Sequence, residues 1–300
     1  MAAPHHAHAE RPLVLASLMA PNADPFYRAL ARYLAEALGR PVRSVDRVDW
    51  TAREQMLHSG KADFGFVCGL QYVQVVDRGL ADLDLLVAAV PAGERYRGEP
   101  VYFSDVVVKA DSPFRTFDDL RGRSWAFNEP TSHSGYNVAR YHVALKGVPV
   151  GFFRQVVSGE AHQNSLRLVA RGMVDAAAID STVLEQELLD HPVLAEQVRI
   201  VDSLGPSPIP PGVIARGVPA TVRRALRAAL LAMHQYAEGR RVLALARYAR
   251  FAAVTDLDYD RIREMASLAE TVRLSGETAI LGPVLADETT EPRRARRRKR

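Results

Sequence analysis

The sequence contains a single cysteine, Cys68, among 300 residues. One thiol can form neither an intramolecular disulfide nor a cysteine-based zinc cluster. A chain of this length buries enough apolar surface for a stable core without such links. Cys68 lies between apolar residues, which predicts a buried and unreactive thiol.

Long hydrophobic runs are missing as well. The stretches richest in apolar residues, such as Val73–Val76 and Leu83–Val90, are far shorter than the roughly 18–20 residues that a membrane-spanning helix needs. Hydrophobic residues make up 48% of the chain and charged residues 25%, which are ordinary values for a globular protein. The composition therefore predicts a soluble globular chain.

A basic binding face is also absent from the body of the chain. The formal charge is +4, but seven of the last eight residues are basic, so taking those seven charges away leaves −3. Nucleic-acid binding by the folded part therefore has no support. The arginine-rich end itself is either a solvated tail or a segment that contacts a partner, and both alternatives stay open.

Common enzyme signatures are not found either. The sequence has no G-x-x-x-x-G-K-[ST], G-x-G-x-x-G, G-x-S-x-G, H-E-x-x-H or C-x-x-C motif. These absences weaken the usual nucleotide-binding and hydrolase interpretations, while an enzyme without a known motif stays possible.

What the sequence does contain is a regular alternation of strand and helix patterns. Asp24 with Pro25 predicts a helix start, and Thr51 with Glu54 has the spacing of a capping box. Later in the chain, a helix is predicted from Pro219 to Glu238 and a last helix over Tyr259–Leu268. This alternation is typical of an α/β protein with parallel sheets.

The pattern predicts two α/β lobes, and the chain crosses from one lobe to the other twice. The proline-rich segment Leu204–Gly212 is predicted to be an extended connector. The predicted organisation is a disordered N-terminal stretch, a first lobe in two pieces, a second lobe and a C-terminal tail. The N-terminal stretch is 1–11 and the C-terminal tail is 276–300. The first lobe consists of 12–102 with 207–275, and the second lobe is 103–206.

Two polar clusters each follow a predicted strand and precede a predicted helix. The first is Thr131, Ser132, His133 and Ser134, and the second contains His162. Free backbone N–H groups and the positive dipole end favour an anion at a helix start. The alternative is that a serine only caps the helix and that His162 is simply exposed. Because both turns belong to one lobe, we expect them at the same sheet edge.

Six short sequence blocks follow each other in a fixed order between residues 12 and 270. They are Gly60–Val67 with Gly69 and Tyr72, Tyr102–Val108, Asp119–Gly122, Ser132–Tyr136, Ser158–Gly159 with His162, and Asp175–Asp180. In this order they resemble the phosphonate- and phosphite-binding proteins of ABC importers. Each block is weak by itself, whereas the ordered set is specific.

The resemblance implies a type II periplasmic-binding-protein fold, with two α/β lobes, two hinge crossings and a central ligand cleft. It also implies a set of ligand-binding residues: Tyr72, Tyr102, Thr131, Ser132, His133, Ser134, His162 and Asp180. Asp180 either reaches the cleft or caps the next helix. Where the family usually has Ser-Thr-Ser-Gly, this chain has Ser132-His133-Ser134-Gly135, so an imidazole replaces a hydroxyl.

The expected function is that of a monomeric, non-enzymatic solute-binding protein. It would capture a small oxyanion of the phosphate, phosphite or phosphonate type for an ABC permease, with no cofactor and no metal. The alternative is a cytosolic enzyme or sensor on the same fold that acts on a small carboxylate or phosphate. The resemblance implies a periplasmic or cell-surface location. The first eleven residues, MAAPHHAHAER, lack the features of an export signal, so a cytoplasmic location stays open.

Overall fold

The structure, a computed structural model, describes residues 11–45, 48–276 and 278–279. Its strands fall into two sheets of six strands each, which confirms the predicted two-lobed α/β class. In chain order the strands are Leu13–Ser17 (β1), Val42–Val45 (β2), Phe64–Phe66 (β3), Leu83–Pro91 (β4), Val101–Lys109 (β5), Ser124–Phe127 (β6), Gln155–Ser158 (β7), Ala176–Asp180 (β8), Val198–Pro208 (β9), Pro211–Ala215 (β10), Tyr248–Ala252 (β11) and Thr278–Ala279 (β12).

Helices follow most of the parallel strands and cover the sheets. In chain order the α-helices are Asp24–Leu38 (α1), Trp50–His58 (α2), Gly69–Asp77 (α3), Val138–Leu145 (α4), His162–Ala170 (α5), Ser181–Asp190 (α6), Pro192–Gln197 (α7), Ala220–Ala232 (α8), Ala237–Ala244 (α9) and Asp260–Ala269 (α10). Among the described residues, none of these helices is long and apolar enough to span a membrane.

Each sheet joins parallel strands to antiparallel ones. The first sheet has the order β11-β4-β10-β3-β1-β2, and the second has the order β12-β7-β6-β8-β5-β9. In the second sheet, β6 lies between β7 and β8 and runs parallel to both. The carboxyl ends of β6, β7 and β8 therefore lie side by side at one edge, where ligands of open α/β sheets bind.

The core of each lobe lies against its sheet. The first lobe has one large apolar cluster that includes Phe26, Leu30 and Phe64. The second lobe has one cluster on each face of its sheet, one containing Trp125 and Phe153 and the other centred on α5 and β8. Because both faces of the second sheet are packed, its strand ends are held rigidly.

Several predicted helix starts and ends differ in detail. Asp24 is the first residue of α1 and not its cap, because a 3₁₀ turn precedes it. Asp49, and not Thr51, caps α2: its carboxylate accepts from the Ala52 amide at 2.8 Å. The helix predicted to run to Glu238 ends at Ala232, and a 3₁₀ turn separates α8 from α9.

The segment predicted as a connector is mostly strand. Residues 204–208 belong to β9, which pairs with β5 along its length. β9 is an edge strand, and an edge strand tolerates prolines because one side of its backbone has no pairing partner. β11 has no counterpart among the predicted strands.

The division into lobes also differs from the predicted one. All of β5 lies in the second sheet, so the first crossing spans residues 92–100, and the second consists of residues 209–210. A third crossing runs along α10, because Ile262 belongs to the first core and Met265 to the second; beyond α10, Val272 and Leu274 join the second core. The two predicted tails fall almost entirely on residues 1–10 and 280–300, outside the described residues.

Candidate functional site

A cleft of about 560 Å³ lies between the two lobes. The residues after β6, β7 and β8 line it from the second lobe, and the residues after β1 and β3 line it from the first. The cleft thus lies at the carboxyl edges of both sheets. For the second lobe, the two polar clusters predicted this position at the sheet edge.

The turn after β6 brings the first polar cluster to the cleft. Ser132 caps the helical turn that leads into α4, since its hydroxyl accepts from the Gly135 amide at 3.1 Å. The turn is wide: the Asn137 amide donates to the Ser132 carbonyl, five residues back. Ser132 and Ser134 both line the cleft although both are buried. Ser132 therefore both caps the helical turn and lines the cleft.

Gly135 is required for the close packing of this turn. A β-carbon at position 135 would lie 1.9 Å from Oδ1 of Asn128 and 3.2 Å from the His162 ring. Asn128 also lines the cleft, and its Oδ1 has no hydrogen-bond partner in the described structure. The glycine therefore lets an amide and an imidazole pack against the turn.

His162 begins α5 and joins the second polar cluster to the first. Its Nε2 is 3.1 Å from the Ser134 hydroxyl, and its Nδ1 is buried without a partner among the described residues. Burial lowers the pKa of His162 to about 4, so the imidazole is neutral near pH 7. A neutral imidazole here acts through a hydrogen bond and not through a charge. We call Ser132, Ser134, Asn128 and His162 the cradle.

Asp180, the last residue of β8, both lines the cleft and caps α6. Its Oδ1 accepts from the Thr182 amide at 2.8 Å and from the Thr182 hydroxyl at 2.7 Å. Burial raises its pKa to about 6, and the hydrogen bonds from Thr182 oppose that rise. The two roles considered for Asp180 are thus both present.

His133 was expected in the ligand-binding set, and the structure places its ring behind the cradle. The imidazole is fully buried, with Nδ1 at 3.2 Å from the side-chain Nδ2 of Asn137 and Nε2 at 3.1 Å from the Ser207 hydroxyl. Burial lowers its pKa to about 3. The imidazole that replaces the family hydroxyl therefore connects the cradle to β9 and does not line the cleft.

Two more residues of the expected set lie away from the cleft. Thr131 is exposed just before the cradle. Tyr72 packs on Tyr259, and its hydroxyl donates to Asp256 at 2.7 Å. In contrast, Tyr102 is buried and lines the cleft, and its contact with a ligand stays a prediction.

The first lobe lines the cleft with a largely apolar surface, which we call the wall. Its members share aliphatic or aromatic side chains and come from three segments: Leu18, Met19, Pro21, Trp50, Leu245 and Tyr248. Arg53 lies beside the wall but is engaged by the carbonyls of Val48 and Ser17 and by the Asp24 carboxylate. Its charge is therefore already compensated.

Contacts between the lobes hold the rims of the cleft together. The Asn22 side-chain amide donates to Oε1 of Glu187 at 3.1 Å, and Arg247 lies 3.4 Å from Glu185. At the base of the cleft, the His133 amide donates to Sγ of Cys68 at 3.4 Å. The described structure is thus one in which the lobes touch.

Sequence reasoning missed several residues of the cleft. Asn128 and Glu129 directly follow β6, and an Asn-Glu-Pro turn at a strand end was a readable signal for them. Trp50 and Tyr248 had no such signal, because each reaches the cleft through tertiary packing. Burial and the nearby Glu54 carboxylate raise the pKa of Glu129. Within the described residues, no group of three or more His, Cys, Asp or Glu side chains is placed to hold a metal ion.

Comparisons with known proteins agree with this geometry. Residues 16–259 match the family model described as "ABC transporter, phosphonate, periplasmic substrate-binding protein". The phosphonates-binding periplasmic protein of Escherichia coli is 24% identical over 257 residues, which cover 83% of this chain and 73% of that protein.

Two solved structures are similar in fold. A binding protein component of a phosphonate ABC transporter from Pseudomonas aeruginosa is 22% identical, with a TM-score of 0.75 and 87% of each chain covered. A Prochlorococcus marinus protein solved with methylphosphonate is 16% identical, with a TM-score of 0.74, and the match covers 87% of this chain and 98% of that one. The fold is therefore the type II periplasmic-binding-protein fold.

The family match covers most of the chain, and the cleft geometry is that of a binding protein. The enzyme alternative is set aside because this family is a substrate-binding component of transport. Its characterised relatives are periplasmic proteins. The chain belongs to the periplasmic substrate-binding proteins of phosphonate ABC transporters.

Proposed function

We propose that the cradle holds the oxygen atoms of a phosphonate group. The hydroxyls of Ser132 and Ser134, the imidazole of His162 and the amides at the start of α5 all lie on the second-lobe side of the cleft. The observation that carries the proposal is the convergence of three neighbouring strand ends on buried polar groups, among which Nδ1 of His162 has no partner in the described structure. Such a group costs free energy until a ligand satisfies it.

The anion would be held by dipoles and neutral donors. Arg53 is the one lysine or arginine among the described residues that line the cleft, and it is already paired. Helix starts and fixed hydroxyls stabilise an anion without a full opposite charge, because their dipoles are oriented before the ligand arrives. The raised pKa values of Asp180, about 6, and of Glu129 make both carboxylates easier to protonate beside a bound anion.

The test is isothermal titration calorimetry with methylphosphonate, phosphite and phosphate. Ser134→Ala removes one hydroxyl, and we expect methylphosphonate to bind roughly 5- to 150-fold more weakly, which corresponds to about 1–3 kcal/mol. Ser59→Ala, an exposed serine at the end of α2, is the matched control and should bind as the wild type does. Unchanged affinity in the Ser132→Ala, Ser134→Ala double variant would show that the cradle is not the anion site.

The second part of the proposal concerns delivery. A ligand that contacts both lobes favours the closed state, and a closed binding protein presents both lobe rims to a permease. We propose that the chain works in this way, as a monomer in the periplasm, with an ABC permease as partner. The rim contacts between Asn22 and Glu187 and between Arg247 and Glu185 support closure. Small-angle scattering with and without methylphosphonate tests it: identical curves at saturation would contradict ligand-linked closure.

A further inference from the structure

The cleft is much larger than a small phosphonate requires. Its volume of about 560 Å³ lies in the range that takes up a drug-sized molecule. Methylphosphonate has no more non-hydrogen atoms than about five waters, and five waters fill about 150 Å³ of liquid. More than half of the cleft would therefore stay unfilled around this ligand.

This excess volume is not the result of separated lobes. Asn22 already donates to Glu187 across one rim, and Arg247 already lies 3.4 Å from Glu185. The His133 amide reaches Cys68 at the base of the cleft. The space is therefore present while the two lobes are already in contact at the rims and at the base.

The chemistry of the remaining space is set by the wall. If the cradle holds the phosphonate oxygens, the carbon substituent points towards the first lobe, where the cleft is lined by Met19, Pro21, Trp50, Leu245 and Tyr248. The Trp50 ring is fixed by the bond from its indole N–H to the Leu18 carbonyl at 3.2 Å. Arg53, the cation beside the wall, is engaged by two carbonyls and by Asp24.

We infer that the cleft selects phosphonates that carry an apolar organic group of several carbons, alkyl or aryl, which packs on the wall. The inference rests on the proposed function of the cradle. Burying apolar surface is favourable in proportion to its area, so a longer substituent should bind more tightly until the wall is covered.

The competing possibility is a phosphonate with a cationic amine. Glu129, Glu160 and Asp180 are the acidic groups that line the cleft on the second lobe, and Asp49, next to Trp50, lines it on the first. Asp180 is also engaged by the hydroxyl and the amide of Thr182. On the first lobe, Oδ1 of Asp49 already accepts from the Ala52 amide as the cap of α2, and the described side chains of the wall carry no charge.

The test is a calorimetric series of methyl-, propyl-, butyl- and phenylphosphonate. Each buried methylene should raise affinity about fourfold, so butylphosphonate should bind about 50-fold more tightly than methylphosphonate. Propylphosphonate and 2-aminoethylphosphonate have nearly the same shape, and we expect the propyl compound to bind about tenfold more tightly. Tighter binding of the amine would overturn the inference.

Variants locate the effect on the wall. Leu245 is about half exposed and lines the cleft, so Leu245→Gln should fold, and we expect it to reduce the butyl-to-methyl affinity ratio from about 50 to about 10. Leu257→Gln changes a 76% exposed leucine outside the cleft and should keep the ratio. A ratio that is the same in Leu245→Gln, Trp50→Ala and the wild type would contradict the assignment to the wall.

The outcomes separate this inference from the proposed function. If methylphosphonate binds and the longer compounds bind no better, only the inference on the substituent fails. If no phosphonate binds while the melting temperature shows a folded protein, the proposed function fails and the inference fails with it.

Discussion

The two faces of the cleft are built by the same kind of sheet edge and yet differ in chemistry. On the second lobe, the turns after three adjacent parallel strands supply hydroxyls, an amide and an imidazole. On the first lobe, the turn after β1 supplies Leu18, Met19 and Pro21, and side chains from α2 and β11 complete an apolar surface. An anion needs fixed dipoles, whereas an organic substituent needs contact area. Under the proposed function, the two ends of one ligand would contact different lobes.

The difference also affects rigidity. The cradle depends on close packing of Gly135, Asn128 and His162, with both faces of its sheet buried. The wall includes Leu245, which is 51% exposed. A tightly packed site discriminates through geometry, and a surface of exposed apolar side chains tolerates more than one shape. We therefore expect substitutions in the cradle to have larger effects than substitutions on the first lobe.

The largest expected effect comes from Gly135→Ala. A β-carbon at this position would lie 1.9 Å from Oδ1 of Asn128, so Asn128 and His162 must move away from the turn. We expect methylphosphonate affinity to fall about 100-fold, because two cradle groups are displaced together. Calorimetry measures the loss. Gly217→Ala is the control, since a β-carbon at position 217 would meet no atom within 4 Å, and it should bind normally. Wild-type affinity in Gly135→Ala would show that the cradle is not rigid.

The second prediction uses the buried histidines, which both belong to the second lobe. Burial lowers the pKa of His133 to about 3 and of His162 to about 4, from 6.5. Below pH 6.5 the unfolded chain binds protons that the native protein does not, so stability falls as the pH drops towards those values. Each histidine contributes about 1.4 kcal/mol per pH unit. Asp180 acts in the opposite sense. Its pKa is raised from 3.8 to about 6, so its contribution to the free energy of unfolding is lost as the pH rises through 6.

His133→Gln removes one of these proton-binding groups. Chemical unfolding between pH 4 and 6.5 should then show a fall in the free energy of unfolding that is shallower than that of the wild type by about 1.4 kcal/mol per pH unit. His191→Gln, at a histidine whose side chain is 56% exposed, is the matched control and should follow the wild type. Parallel curves for His133→Gln and the wild type would refute the buried, neutral state of His133.

A smaller effect is expected at the contact between the lobes. Asn22→Ala removes the hydrogen bond to Glu187, and the net contribution of such a bond is about 0.5–1.5 kcal/mol. Methylphosphonate should therefore bind roughly 2- to 10-fold more weakly, mainly through faster dissociation, which stopped-flow measurements resolve. Arg241→Ala, which breaks an exposed ion pair with Glu238, serves as the control. Equal dissociation rates for Asn22→Ala and the wild type would mean that this rim contact does not hold the closed state.

The smallest effect is expected for Cys68→Ala. The thiol accepts from the His133 amide at 3.4 Å, and sulfur is a weak acceptor, so affinity should change less than about threefold. Burial raises the pKa of the thiol, so wild-type Cys68 should react slowly with iodoacetamide near pH 7. Rapid alkylation with methylphosphonate bound would show that the base of the cleft is open.

Much of the fold could be predicted from local patterns. Gly39, at φ 61°, ends α1, as a glycine after an apolar helical pattern indicates, and the aromatic and β-branched residues of β5, Val101–Lys109, are typical of a strand. β11 could not be predicted, because YARFA has no strong apolar alternation and pairs with β4 only after the first lobe has formed. The third crossing was missed for the same reason: α10 has apolar residues for both lobes, and Ile262 and Met265 belong to different cores.

The sequence by itself determined the α/β class, the position of the two polar turns at strand ends, and the serines and histidine of the cradle. These follow from local rules, since strand, turn and helix starts depend on neighbouring residues. Only the tertiary structure decided which polar residues face the cleft. His133 and Ser134 are adjacent in the chain, yet one side chain packs on β9 and the other lines the cleft, because a helical turn points successive side chains in different directions. The wall likewise depends on tertiary structure alone, since Trp50 and Tyr248 are far apart in sequence and line the same cleft only when the first lobe folds.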